Sequence, residues 1–103
     1  MESSLMYTAS SQMRTIVNWG EWIYCGIEAD LKEDVITNAV DEHFHDNTVY
    51  FIIDRKESVE TDKQNILERL KKQLGQKEIF LWDANFKKAI EFNTIGVMRK
   101  GST

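Results

Sequence analysis

The chain has 103 residues, 42% of them hydrophobic and 29% charged, with one cysteine and no proline. That length is one domain's worth. The balance of residues excludes a disordered chain, and the single Cys25 excludes an intramolecular disulfide.

The net charge of −4 is unevenly distributed: residues 21–46 hold eight acids against Lys32 alone, whereas residues 47–103 hold eleven bases against eight acids. This asymmetry bears on partners rather than on fold; it disfavours nucleic acid and favours a basic protein surface. The opening residues show neither a basic n-region nor an apolar h-region. The apolar runs fall far short of the ~20 residues that span a bilayer. The expected location is therefore cytoplasmic and reduced, with no membrane association.

In chain order, Ser10 or Ser11 can cap a short helix carrying Met13, Ile16 and Val17 and ending near Gly20, with a strand as the alternative. Residues 21–27 read as a strand, with Trp22 and Tyr24 on one face and Ile23, Cys25 and Ile27 on the other. Residues 30–45 read as a helix. Asp30 and Glu33 make a capping-box pair, and Leu31, Val35, Ile36, Ala39, Val40 and Phe44 fall on one side. Residues 48–53 are apolar at almost every position, the mark of a strand buried on both faces.

A polar loop over 54–60 follows. Thr61 and Gln64 then announce a second helix that buries Ile66, Leu67, Leu70 and Leu74 and stops at Gly75. Residues 78–82 read as another central strand, 83–86 as a turn, 87–93 as an alternating strand and 95–98 as a last one. The expected class is α/β in the α+β sense: a single domain over 1–103, with two main helices on a mixed sheet of four or five strands. Its strand–helix–strand units favour parallel pairing.

Four constellations carry chemistry. Asp54 and Asp83 each end an apolar strand. If those strands are parallel neighbours, the two carboxylates meet at the carboxyl edge of the sheet, where open α/β sheets bind ligands. There they can hold Mg²⁺ for a hydrolase or nuclease reaction. The competing reading is that aspartate starts turns by bonding the backbone two residues on, and no phosphate-binding loop accompanies the pair.

His43 and His45, with Cys25, form a weak metal-ligand set; histidines in a last helical turn more often interact with the macrodipole. Asp34, Asp41, Glu42 and Asp46 make an acidic stripe able to dock a basic surface. A solvated helix face is the alternative, but it does not account for acids at the negative helix end. Trp19 and Trp22 are either interface anchors or core.

The stretch Ile79-Phe80-Leu81-Trp82-Asp83-Ala84-Asn85-Phe86, continuing to Asn93 and on through Gly96-Val97-Met98-Arg99-Lys100-Gly101, resembles the end of small bacterial toxin-immunity proteins. That resemblance implies a non-enzymatic protein that binds one cognate toxin, often through an acidic surface set against a basic nuclease; it assigns no residue a role. The expectation is thus a non-catalytic inhibitor or immunity-type protein without a cofactor. It would occlude a basic partner with Asp34, Asp41, Glu42 and Asp46, joined by Trp19 and Trp22. The alternatives are a Mg²⁺-dependent hydrolase built on Asp54 and Asp83, and a structural homo-oligomer paired through an exposed edge strand.

Overall fold

In a computed structural model describing residues 2–103, the elements run α1 (Ser3–Met13), β1 (Asn18–Trp19), β2 (Ile23–Tyr24), α2 (Glu33–His43), β3 (Thr48–Ile52), β4 (Val59–Asp62), α3 (Lys63–Gln73), β5 (Ile79–Asp83), β6 (Lys88–Phe92) and β7 (Val97–Ser102). The fold is α+β. Its seven strands form one sheet in the order β1-β7-β6-β5-β3-β4, with β2 also on β7, and every pairing is antiparallel.

The expected mixed, partly parallel sheet of four or five strands is therefore corrected, and the reason is one of parity. The stretch read as a loop over 54–60 runs into β4, which pairs back on β3 from Phe51↔Val59 to Thr48↔Asp62. That extra reversal comes before α3. The helix then delivers β5 to the other side of β3 antiparallel, from Val49↔Asp83 to Ile52↔Phe80.

The continuous apolar run of β3 reflects burial on both faces, as expected, but in an antiparallel sheet. Val49 and Phe51 pack with Ile36, Val40, Ile66 and Leu70 of α2 and α3. Tyr50 and Ile52 join Phe80, Trp82 and Phe86 beneath Met6 of α1. The third helix, α1, begins well before the stretch in which it was expected. Ser10 lies inside it, 1% exposed, and accepts a 2.7 Å hydrogen bond from Trp82 Nε1.

Two expected helix caps are also replaced. Asp30 belongs to a 3-10 turn, Glu28–Asp30, and α2 starts after Lys32 with no side-chain cap. The chain tightens here: Lys32 N–H donates to the Cys25 carbonyl at 2.7 Å, and Gly26, at φ 75°, has the Asp30 carbonyl packed where a Cβ would stand. Only glycine fits such a position without strain. Thr61 lies within β4, and its Oγ1 accepts from Arg69 Nε. Leu74 and Gly75, at φ 93°, end α3 as the sequence indicates.

Candidate functional site

Antiparallel pairing separates the two aspartates. Asp83 lies across from Val49, whereas Asp54 follows the opposite end of β3, beyond Ile52. Val49 and Asp54 are five residue steps apart along extended chain, about 17 Å at the usual rise. Each carboxylate instead organises its own turn. Asp54 Oδ1 accepts from the backbone N–H of Lys56 at 2.8 Å and of Glu57 at 2.9 Å, and Oδ2 is 3.1 Å from Lys77 Nζ. These bonds hold the Asp54 carboxyl below its ordinary pKa, the Lys56 N–H first among them. Asp83 Oδ1 accepts from the N–H groups of Lys87 at 2.7 Å and Lys88 at 3.1 Å. The shared Mg²⁺ site is thereby corrected to two local turns.

The histidines are likewise drawn apart. His43 Nε2 lies 2.9 Å from the Gly101 carbonyl oxygen, which requires that this nitrogen carry the proton, whereas His45 is exposed. Burial pushes the His43 imidazole below its ordinary pKa; Lys88 and Lys100 push the same way, against the Gly101 bond. Cys25 is fully buried, and burial raises its thiol to about 11, far from thiolate chemistry at neutral pH. Among the described residues no three His, Cys, Asp or Glu side chains gather as a metal-binding group.

Trp19 and Trp22 stand on the α1 side of the sheet, on the opposite face from α2. Arg99 joins them: its guanidinium carbon is 4.7 Å from the Trp19 ring and 4.5 Å from the Trp22 ring. Arg99 Nε donates at 2.7 Å to Glu91, which is 7% exposed. The stack neutralises a carboxylate that sits in the sheet beside Phe80. Trp22, Ile23 and Tyr24 remain exposed along the outer edge. The register shifts by one residue between Trp19↔Gly101 and Ile23↔Met98. That bulge and the shortness of both strands interrupt the edge, a common guard against edge-to-edge pairing.

Of the four acids, Asp34, Asp41 and Glu42 lie on α2 and Asp46 in the loop that follows it. Asp34 and Asp41, seven residues apart, share the outer side of α2, and Asp34, Asp41, Glu42 and Asp46 are all exposed. Among the described residues, no cationic side chain lies within 4.0 Å of any of the four; the nearest comparable acid, Glu33, pairs with Lys71 of α3 at 3.1 Å.

Beside the stripe runs a trough that the sequence reading missed. It measures about 400 Å³ between the antiparallel α2 and α3, with Ile36, Val40, Ile66 and Leu67 as its floor and Thr37 and Asp41 on one rim. Val40 and Leu67 read in sequence as ordinary core positions. Only the half-buried state of Leu67 marks an opening. Among the described residues no helix is long and apolar enough to cross a membrane.

Comparison of the chain with protein-family models, with curated proteins and with solved structures gives no significant match.

Proposed function

We propose that this is a non-catalytic binding protein that docks the acidic face of α2 on a basic surface of one protein partner, in the manner of an inhibitor or immunity protein. One observation carries the reading. Asp41 and Glu42 occupy the last turn of α2, with Asp46 just beyond, all exposed and, among the described residues, with no cationic side chain within 4.0 Å. The negative end of a helix dipole disfavours Asp41 and Glu42, which sit in its last turn. A partner that brings Lys or Arg to this face adds an attraction that offsets that repulsion and speeds the encounter. Trp19 and Trp22, on the other side of the sheet, take no part in this reading.

The test is affinity capture from lysate of the cells that make the protein, with the wild type and an Asp34→Lys/Asp41→Lys variant, each checked for its fold by circular dichroism. The expected result is one stoichiometric partner, released at high salt and not retained by the variant. The free variant is expected to be at least as stable as the wild type. Equal capture by a folded variant would rule the acidic face out.

A further inference from the structure

We infer that the trough between α2 and α3 receives a single apolar anchor residue from a basic amphipathic helix of the partner, while the acids of α2 hold the cationic residues on either side of it. This inference rests on the acidic-face reading above and specifies the partner's recognition element.

The trough meets the acidic face at Asp41, which lines it. On α2, Ile36 and Val40 are one helical turn apart and point down into the trough; Thr37 and Asp41, one position further round, form its rim. Asp34 continues the rim side one turn earlier. The Glu33–Lys71 ion pair, 3.1 Å, ties the two helices together at that end. At the other end Asn47 and Lys63 line the opening. The floor is aliphatic from both helices, so it favours a branched or thioether side chain over a polar one, because removing apolar surface from water is favourable.

The spacing selects a helix. Asp34 and Asp41 are seven residues apart, about 10.5 Å along α2 at 1.5 Å per residue. A partner helix with its anchor at position i and Lys or Arg at i−3 and i+4 carries two cations over the same seven residues and the same rise. An anchor set into an apolar groove with charges around it is a recurrent mode of helix recognition. The volume between α2 and α3 suits one or two side chains, not a whole helix, so the partner helix lies across the mouth with its anchor inserted.

The test uses three fluorescein-labelled helical peptides of equal length: lysine–leucine with a leucine anchor face, lysine–serine with the charges alone, and glutamine–leucine with the apolar face alone. Binding is read by anisotropy. The lysine–leucine peptide is expected to bind at least tenfold tighter than either of the others. Thr37→Trp, which fills the trough from an exposed rim position, is expected to abolish that advantage and leave lysine–serine binding unchanged.

Equal affinity of lysine–leucine and lysine–serine peptides for the wild type would overturn the anchor site and leave the acidic-face reading standing. Undiminished lysine–serine binding by Asp34→Lys/Asp41→Lys would overturn the acidic-face reading itself. Absence of binding by all three peptides at millimolar protein would overturn both. Amide chemical shifts at Val40 and Leu67 provide the second readout: if Thr37→Trp fails to fold, lysine–leucine peptide must still move these two signals in the wild type, and shifts confined to other surfaces reject the site.

Discussion

Ser10 is the residue whose role is least predictable from its type. A serine near a chain start reads as a helix cap, because its hydroxyl competes for backbone groups. Here it is buried in α1 and is the acceptor for the indole N–H of Trp82, itself fully buried. Ser10→Ala leaves that donor without a partner, which costs about 1–3 kcal/mol, whereas Ser11→Ala one position on is expected to change stability by less than about 0.5 kcal/mol. Urea unfolding of the two variants measures the difference; equal midpoints would mean that the buried bond contributes nothing.

His43 gives a second prediction with a definite sign. Its folded pKa lies below the ordinary value of 6.5, chiefly through burial. Between the folded and the unfolded pKa, the unfolded chain holds the extra proton, so stability falls as pH drops below about 6.5 and levels off under the folded value. His43→Gln can keep an N–H donor for the Gly101 carbonyl and removes the titration. Between pH of about 7.5 and 5, above the carboxylate range, the variant is expected to lose less stability than the wild type. Parallel losses would mean that His43 stays accessible to protons.

Among elements, legibility tracked how much of the pattern lies within the element itself. α2 and α3 announce themselves by apolar spacing, and β3, β5 and β6 by apolar runs or alternation between turn signals. β4 was hidden because a short edge strand exposing Glu60 and Asp62 looks like a polar loop. Without β4 the connection from β3 to β5 has the opposite parity, which would make β5 parallel to β3 and bring Asp54 and Asp83 to one edge. The start of α1 is hard to read because its buried positions are Met6 and Ser10, and a polar residue in the buried stripe blurs the period. The exposure of Asp34, Asp41, Glu42 and Asp46 is legible in the sequence, since exposure of charged residues is the default. The α2–α3 trough was not, since it exists only once two helices distant in sequence lie side by side.

The molecule as a whole is a sheet with a core on each face, and the two cores share their backbone. Along β3, Val49 and Phe51 belong to the α2–α3 core and Tyr50 and Ile52 to the α1 core; along β5, Ile79 and Leu81 alternate with Phe80 and Trp82 in the same way. Loss of either helical layer therefore exposes strands that the other core needs, and the two should unfold as one unit. The tryptophans make this measurable: Trp19, Trp22 and Trp82 all sit on the α1 side, so fluorescence reports that face, while far-UV circular dichroism is dominated by helices, two of the three on the other. Met6→Ala and Leu70→Ala each remove a buried side chain from one core only and cost about 2–5 kcal/mol. Each is expected to move the fluorescence and dichroism transitions in urea by the same amount. A Leu70→Ala variant whose dichroism midpoint falls while its tryptophan midpoint holds would show that the sheet does not couple its two faces, and that α1 with its aromatic layer persists without the helices that carry the proposed binding face.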